Sequence, residues 1–486
     1  MSEAMDRIVI VGAGQAGFQA AASLREAGFS GSLILVGDEA ALPYQRPPLS
    51  KAYLAGKTDA RGLLLRQESF FAEHRIDHRA GTRVTALDRG ARQVRLSDGG
   101  SLGYDHLILA TGTRNRTLPV PGADLAGVRQ LRSLDDADAL RAAIEGIRRI
   151  VVVGAGFIGL EFAAVCAARG LSVTVIEAAE RVMARAVSPE TSQAFRAFHE
   201  EAGVAFLFGA GVTAIEGEGE RVAAVRTADG QSLPADLVVV GIGVVPNQEL
   251  AEEAGLAVRD GIEVDAFLAT SDPAISAIGD CVRFPTRFAA GLPGGDRVRI
   301  ESVQNAVDQG RCLAARLTGR PAAYDAVPWF WSDQGPRKLQ IAGLAAPDDA
   351  SVLRRAGAGF SVFRFRDGRL SAVESVDRAA DHMAARRLLA AGRTLTPEQA
   401  ADPGFDLKAL ATALRRASAI VLGGELIEPR ALVAAALLLR EPDARRGTVG
   451  EDDAALHQGA AQGLDLAGGG IARAGLETLD EALVQP

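Results

Sequence analysis

Cysteine is scarce in this chain of 486 residues, which has only three. Cys166, Cys281 and Cys312 are far apart in the sequence and have no close partner. That spacing excludes a disulfide scaffold, a CxxC thiol pair, and a zinc or iron–sulfur site held by cysteines. An odd, sparse set of thiols predicts a reducing, cytoplasmic location.

Long apolar runs and an excess of basic charge are also lacking. The longest late apolar run, Ala431 to Leu439, is far shorter than the ~18 residues typical of a membrane span. The N-terminus enters a strand pattern at once, without a secretory signal. A net charge of −8 argues against nucleic-acid binding. We therefore expect neither a membrane nor a nucleic acid as partner.

Lysine is the rarest charged residue, because only four of the 53 basic residues are lysines. They are Lys51, Lys57, Lys338 and Lys408. A lysine that falls inside a motif is therefore worth attention. Glycine, by contrast, is abundant at 54 residues, which indicates many tight turns or places where backbone meets a ligand.

The first glycine motif follows a β-branched run, Arg7 to Val11, and reads Gly12-Ala13-Gly14-Gln15-Ala16-Gly17. A helical stretch, Phe18 to Ala27, comes next, and this strand–turn–helix order is typical of dinucleotide-binding units. The helix N-terminus would face a diphosphate with free N–H groups. A second strand ends in Gly37-Asp38-Glu39, where a ribose-binding acid belongs.

The same pattern recurs about 140 residues later. A strand, Arg149 to Val153, leads into Gly154-Ala155-Gly156-Phe157-Ile158-Gly159, and Glu177 ends the next strand. One such unit could also be a tight turn without ligand, but two complete units indicate two dinucleotides, one permanently bound and one exchanging. Glu177 favours NADH over NADPH because a carboxylate repels a 2′-phosphate. Arg181 and Arg185 lie nearby and soften that preference.

Three further strand ends carry glycine. Ala110 precedes Thr111-Gly112, a later strand runs into Gly241-Ile242-Gly243, and Gly279-Asp280 closes another. Beside a cofactor, the first two would be crossings between domains, and Asp280 would accept from ribitol hydroxyls. Each of them is also compatible with an ordinary strand-to-loop turn.

Several blocks resemble the FAD-dependent NADH:ferredoxin reductases, the group that includes putidaredoxin reductase, rubredoxin reductase and the reductase component of biphenyl dioxygenase. The blocks are Leu42-Pro43-Tyr44-Gln45-Arg46-Pro47-Pro48-Leu49-Ser50-Lys51, Gly156-Phe157-Ile158-Gly159-Leu160-Glu161, Ile278-Gly279-Asp280-Cys281 and Trp329-Phe330-Trp331-Ser332-Asp333-Gln334. The resemblance covers about residues 6 to 413. It implies hydride transfer from NADH to FAD, followed by single-electron transfer to a [2Fe–2S] ferredoxin or a rubredoxin, in a monomer or homodimer.

The resemblance also implies roles for individual residues. Lys51 and Glu161 match a catalytic pair beside the flavin and the nicotinamide. The residues alone would favour a solvated lysine and a helix-dipole acid, and the resemblance reverses that preference. The implied FAD contacts are Gly12, Ala13, Gly14, Ala16, Gly17, Asp38, Glu39, Arg46, Pro47, Lys51, Val84, Ala110, Thr111, Gly112, Arg132, Gly279, Asp280, Val303 and Trp331. The implied NAD contacts are Gly154, Gly156, Phe157, Ile158, Gly159, Glu161, Glu177, Arg185, Gly241, Ile242 and Gly243.

The chain departs from the wider disulfide reductases between Leu42 and Lys51, where it has no cysteine. A disulfide relay is therefore excluded there, and the flavin itself must pass electrons on. Two alternatives stay open. One is a flavoprotein with another acceptor, such as a quinone, monodehydroascorbate or oxygen; the other is a redox sensor like apoptosis-inducing factor.

The predicted fold class is α/β, with two Rossmann-like dinucleotide domains and a small C-terminal α+β domain. Residues 1–115 and 246–325 are assigned to the FAD domain, 116–245 to the NAD domain and 326–413 to the C-terminal domain. Residues 414–486 contain no aromatic, cysteine or methionine residue. That composition predicts an appended, poorly ordered tail rather than a further domain. A helix is expected around Ala431 to Arg440.

Overall fold

The structure is a computed structural model, and it describes residues 5–412. The tail predicted for residues 414–486 lies outside the described residues. The strands are, in chain order, β1 Arg7–Val11, β2 Ser32–Val36, β3 Ile76–Arg79, β4 Val84–Asp88, β5 Gln93–Leu96, β6 Ser101–Gly103, β7 His106–Leu109, β8 Thr113–Asn115, β9 Val128–Arg129, β10 Arg149–Val153, β11 Ser172–Glu177, β12 Val204–Phe208, β13 Val212–Glu218, β14 Arg221–Thr227, β15 Ser232–Pro234, β16 Leu237–Val240, β17 Val244–Pro246, β18 Ile262–Glu263, β19 Ile275–Ala277, β20 Val282–Pro285, β21 Arg297–Arg299, β22 Trp329–Gln334, β23 Arg337–Gly343, β24 Ala350–Ala356, β25 Gly359–Arg366 and β26 Arg369–Val376. The helices are α1 Gln15–Glu26, α2 Ala60–Leu63, α3 Glu68–Glu73, α4 Leu134–Ala143, α5 Phe157–Ala168, α6 Pro189–Glu201, α7 Glu249–Glu253, α8 Val303–Leu317, α9 Ala379–Ala390 and α10 Pro397–Ala401, and 3₁₀ turns cover Pro47–Ser50, Gly279–Cys281 and Arg287–Ala289.

The first large sheet is parallel, with strand order β19-β7-β1-β2-β3. Its central strand β1 is a β-branched run of which four of five residues are buried. A parallel strand covered on both faces needs such a continuous apolar run rather than an alternating one. Helices α1 and α8 pack against each other beside this sheet.

The second large sheet repeats that plan with the order β12-β11-β10-β16-β9, again all parallel. Strand β10 is central and, like β1, buries four of its five residues. Helix α5 follows it directly. This helix, Phe157–Ala168, is apolar on almost all of its faces, as expected for a helix that is buried between layers.

The third large sheet is antiparallel, with the order β22-β23-β26-β25-β24. Helix α9 packs on it, and a core that includes Phe363, Val373 and Leu388 fills the space between sheet and helix. This arrangement and the two parallel sheets confirm the predicted fold class. The domain boundaries given above stay predictions.

Two connecting segments run side by side between the parallel sheets. β8 and β17 form an antiparallel two-stranded ribbon in which Asn115 is opposite Val244 and Thr113 is opposite Pro246. β8 begins directly after Gly112, and β17 begins directly after Gly243. Within residues 5–412, no helix is long and apolar enough to cross a membrane.

Candidate active site

The two glycine motifs form matching turns at the ends of β1 and β10. Gly12 and Gly154 have φ of +108° and +104°, which L side chains rarely adopt. A Cβ on Gly12 would collide with the carbonyl of Ala110, and one on Gly154 with the carbonyl of Gly241. Glycine is therefore required here by the neighbouring strand end, as the sequence predicts.

The second glycine of each motif faces open space. Gly14 and Gly156 are the N-cap residues of α1 and α5, and neither helix has a side-chain cap. A Cβ on Gly14 would meet nothing within 4 Å, and one on Gly156 would meet only the Gly241 carbonyl at 4.0 Å. An uncapped helix N-terminus next to open space fits a diphosphate, which accepts from the free N–H groups. Both turns therefore suit the two predicted dinucleotides.

The acids after β2 differ in their surroundings. Asp38 pairs with exposed Arg83, Nη2 to Oδ2 2.7 Å. Glu39 instead accepts from the Tyr44 hydroxyl at 2.5 Å and forms an ion pair with Arg46. Glu39 is thus tied to the 42–51 segment, whereas Asp38 lies at the surface beside the first glycine turn.

Glu177, at the end of β11, is held by backbone. Its Oε2 accepts from Ala155 N at 2.7 Å, and its Oε1 accepts from Ala179 N at 2.8 Å. The guanidinium of Arg181 donates to three backbone carbonyls, those of Ala184, Val187 and Ser188.

These contacts leave a carboxylate at the second glycine turn. Arg181 is engaged elsewhere and does not neutralise it. The exposed Arg185 is the other nearby cation; one of its Nη atoms lies close to Gly243.

Arg132 connects the β8–β17 ribbon to the 3₁₀ turn that follows β19 of the first sheet. Its guanidinium donates to the carbonyl and the hydroxyl of Thr113 and lies 3.5 Å from Asp280 Oδ2. Thr111 Oγ1 donates to the Asn247 carbonyl at 2.6 Å, and this hydrogen bond ties the residue before Gly112 to the residue after β17. The structure therefore brings together three predicted residues that are up to 169 positions apart in the chain (111 to 280).

Lys51 and Glu161 meet where the 42–51 segment, α5 and β22 converge. Lys51 Nζ lies 3.1 Å from Glu161 Oε1 and 3.7 Å from Asp333 Oδ2. Ser50 Oγ donates to Glu161 Oε2 at 2.5 Å, and Ser332 Oγ donates to Oε1 at 2.6 Å. The carboxylate of Glu161, the fifth residue of α5, thus has one ammonium and two hydroxyls as partners.

Burial dominates the electrostatics of this pair. The Glu161 side chain is 3% exposed and that of Lys51 17% exposed. Desolvation raises the pKa of Glu161 above its usual range, and Lys51, Ser332 and Ser50 oppose that rise. Because a buried charge is costly unless it is paired and hydrogen-bonded, the two groups depend on each other.

The other predicted residues occupy varied positions. Pro47 opens the 3₁₀ turn before Lys51, and Val303 is the first residue of α8. Trp331, on β22, lies 5.8 Å from Trp329 between ring centroids. The remaining predicted contacts lie in or beside the glycine turns or at strand ends: Ala13, Ala16 and Gly17; Val84, at the start of β4; Ala110, Gly112 and Gly279; Phe157, Ile158 and Gly159; Gly241, Ile242 and Gly243.

Sequence reasoning missed four residues at the site. They are Tyr44, Ser50, Ser332 and Asp333. All four lie inside blocks that carry the resemblance, Leu42–Lys51 and Trp329–Gln334, so the signal was present. Their contacts with Glu39, Glu161 and Lys51 could not be deduced without the fold.

The comparisons with known families cover most of the chain. Residues 6–310 match the family described as pyridine nucleotide-disulphide oxidoreductase, and residues 329–411 match the reductase C-terminal domain. Rhodocoxin reductase from Rhodococcus erythropolis is 54% identical over 403 residues, which cover 82% of this chain and 93% of that protein. Putidaredoxin reductase from Pseudomonas putida is 42% identical over 420 residues, or 85% of this chain and 98% of that one.

Solved structures agree with these relatives. The ferredoxin reductase for the CYP199A2 system from Rhodopseudomonas palustris is 51% identical, with a TM-score of 0.81 over 84% of this chain and 100% of that chain. A covalent putidaredoxin reductase–putidaredoxin complex is 41% identical, with a TM-score of 0.81 over 84% and 99%. The chain therefore belongs to the pyridine nucleotide-disulphide oxidoreductases and, within them, to the FAD-dependent ferredoxin reductases.

Proposed function

We propose that this chain is an NADH:ferredoxin reductase in which Lys51 and Glu161 form the catalytic pair. Bound FAD supplies the chemistry, because it accepts two electrons from NADH and releases them one at a time. The observation that carries the proposal is the Lys51–Glu161 pair at 3.1 Å, in which the Glu161 side chain is 3% exposed, at the junction of the 42–51 segment and the N-terminal half of α5. A single ammonium held there favours negative charge developing beside it.

The residues assigned to each cofactor follow from the two glycine turns. The turn at Gly12–Gly17, with Asp38, Arg46, Arg132 and Asp280, is proposed to hold FAD. The turn at Gly154–Gly159, with Glu177, is proposed to hold NADH. Open space at both helix N-termini supports this assignment, as does their lack of side-chain caps.

Glu177 and Arg181 support selection of NADH over NADPH. The Glu177 carboxylate is fixed by two backbone N–H groups, so it stays at the turn where a ribose would lie. Arg181 is bound to backbone carbonyls, so its charge is not available to a 2′-phosphate. A fixed carboxylate disfavours the phosphorylated cofactor, and the exposed Arg185 beside Gly243 is the nearby guanidinium that offsets at most part of that preference.

None of the three cysteines is placed to relay electrons as a thiol. Cys166 and Cys281 are buried, and burial raises the pKa of the Cys166 thiol to about 12. Burial also raises the pKa of Cys281 and of Cys312. Because the thiolate is the reactive form, a raised pKa disfavours thiol chemistry at these cysteines near neutral pH. This supports a bound flavin, rather than a thiol, as the group that would supply electrons to a one-electron acceptor.

The proposed acceptor is a [2Fe–2S] ferredoxin or a rubredoxin. Two relatives, rhodocoxin reductase and putidaredoxin reductase, are each named after the protein that they reduce. We also propose a cytoplasmic location, which the few unpaired cysteines support.

The test uses the purified FAD-loaded full chain. NADH should reduce the flavin much faster than NADPH does, and cytochrome c reduction should require an added ferredoxin or rubredoxin. Steady-state rates with quinone, monodehydroascorbate and oxygen serve as comparisons. Faster turnover with any of these than with every ferredoxin and rubredoxin tested would contradict the proposed acceptor. NADH-dependent dimerisation with slow turnover would instead indicate a redox sensor.

A further inference from the structure

A buried row of hydrogen bonds leads from Glu161 into the protein interior. Ser332 Oγ lies 2.6 Å from Glu161 Oε1, Gln334 Nε2 lies 3.2 Å from Ser332 Oγ, and His199 Nε2 lies 2.8 Å from Gln334 Oε1. Glu161 is 3% exposed, and the other three residues are 0% exposed. We call Glu161, Ser332, Gln334 and His199 the Glu161 network.

The network joins three elements that are distant in sequence. Glu161 is the fifth residue of α5 and His199 lies near the end of α6, while Ser332 and Gln334 lie on β22. Residues two apart on a strand point to the same face, so β22 presents the serine and the glutamine side by side. The strand therefore bridges the two helices with polar groups inside an otherwise apolar region.

The three hydrogen bonds of the Glu161 network all run in the same direction, from donor to acceptor, toward Glu161. The Gln334 carbonyl oxygen faces His199, so the imidazole donates from Nε2. The Gln334 amide nitrogen faces Ser332 and donates to its oxygen, which leaves the single hydroxyl proton of Ser332 for Glu161. Every donor in the row thus points toward the carboxylate.

Met183 supports this orientation of the glutamine. Its Sδ lies 3.5 Å from Gln334 Nε2, where an N–H can donate weakly to sulfur. A reversed amide would place the carbonyl oxygen against that sulfur and against the oxygen of Ser332. It would also place the amide nitrogen against His199, and the imidazole would then have to accept from it at Nε2.

We propose that Gln334 and His199 are positioning residues that hold the Ser332 hydroxyl on Glu161 and so keep Glu161 ionised opposite Lys51. This inference rests on the proposed function, because it concerns the charge state of the proposed catalytic pair. Hydrogen bonds to the charged form of a carboxyl favour that form, and here they act against the desolvation of Glu161. Neither Gln334 nor His199 was predicted as a site residue from the sequence.

The charged surroundings limit what else can set this charge state. Lys51 is the charged group that faces Glu161 in the described part of the chain, and Asp333 faces Lys51 from β22 at 3.7 Å. His199 is flanked by the rings of Phe198 and Phe206, and burial lowers its pKa. The imidazole is therefore neutral near pH 7, with one N–H, as the directed row requires.

Loss of the network has a defined consequence for Lys51. When Glu161 takes up a proton, the remaining negative partner of Lys51 is Asp333, whose side chain is 40% exposed. The ammonium is then drawn outward, away from the junction. The rate of reduction by NADH should therefore fall as the pH is lowered through the range in which Glu161 takes up a proton. With the network intact, this fall should occur at a lower pH than without it.

The first experiment reads the hydrogen-bond direction without turnover. NMR of the FAD-loaded full chain with ¹⁵N-labelled histidine gives signals from six imidazoles. The signal that is missing from the spectrum of His199→Phe is that of His199. The proposal expects neutral His199 with its proton on Nε2 between about pH 6 and about pH 8. A proton on Nδ1 instead would mean a reversed Gln334, a Ser332 hydroxyl donating to the amide, and no positioning of Glu161.

The second experiment reverses one hydrogen bond. Gln334→Glu is nearly isosteric, but a carboxylate only accepts, so it takes the Ser332 proton away from Glu161. The matched control is Ser361→Ala. It removes an equally buried hydroxyl from the same sheet, one that bonds to Ser375 on β26 and to Asp381 on α9. The measurement is the limiting rate of anaerobic flavin reduction by NADH as a function of pH.

Gln334→Glu should move the acid limb of this profile upward by about one pH unit, a roughly tenfold slower rate on that limb, with little change at high pH. Ser361→Ala should leave the profile in place. A uniform loss of rate at all pH values, or an unmoved limb, would overturn the proposal. If the variant does not fold, the histidine tautomer in the unmodified chain still decides. Neither readout involves a ferredoxin, so failure to reduce a ferredoxin would contradict the proposed function separately.

Discussion

Replacing Lys51 by methionine should make stability depend on pH through Glu161. The substitution keeps side-chain length but leaves a carboxyl that is 3% exposed without its ammonium partner at 3.1 Å. Removing one partner of a buried ion pair typically costs about 3–5 kcal/mol. The hydroxyls of Ser50 and Ser332 still donate to Glu161 and offset part of this. We expect a loss of about 2–4 kcal/mol near pH 8.

The sign of the pH dependence follows from the direction of the pKa. Burial already raises the pKa of Glu161 in the folded protein, and loss of Lys51 raises it further. The folded state then holds a proton that the unfolded state has released. Stability of the variant should therefore fall as pH rises above the unfolded value of about 4.3, by up to ~1.4 kcal/mol per pH unit.

Urea denaturation of the FAD-loaded protein at several pH values measures this. The double variant Lys51→Met with Glu161→Gln removes the titrating group and should lose the added slope. Lys57→Met, at an exposed position, should change neither stability nor slope. If the Lys51→Met variant loses the same free energy at every pH between 5 and 8, the carboxyl is not being protonated and the reasoning is wrong.

Three further substitutions test other parts of the site and fold. Gly12→Ala should abolish FAD retention, measured by flavin absorbance after gel filtration, because its Cβ meets the Ala110 carbonyl at a φ of +108°; retained flavin would contradict the turn. Glu177→Ala should raise KM for NADH and reduce the ratio of kcat/KM for NADH to kcat/KM for NADPH in steady-state assays; an unchanged ratio would contradict the role of Glu177 in selecting NADH. Burial lowers the pKa of His106 to about 4, so stability should fall by up to about 3 kcal/mol as pH drops from ~6.5 toward 4, and His106→Asn should flatten that loss in thermal melts.

The glycine turns were predictable because their requirements are local. The conformation of Gly12 or Gly154 and the helix that follows are encoded within about ten residues, and the strand before each turn is an unbroken apolar run. The ends of α1 also fall within three residues of the predicted limits. Such features need only short-range sterics and periodicity.

The pairings across the site were not predictable in this way. Lys51 and Glu161 are 110 positions apart, and only the resemblance brought them together. Glu161 and Ser332 are 171 apart, and His199 and Gln334 are 135 apart. Their side chains contact each other because α5, α6 and β22 converge in three dimensions. A buried histidine also has no sequence signature that separates it from any other core residue.

The ribbon of β8 and β17 determines how the second parallel sheet is attached to the first. The chain leaves at Asn115 and returns at Val244, and these residues are opposite each other in one ladder. Neighbouring strands lie about 4.8 Å apart, so residues 116–243 form a closed loop whose ends already meet. An insertion of this kind adds almost no loop-closure penalty to its host, which explains how the second parallel sheet can be inserted between β7 and β19 of the first without disturbing its strand order.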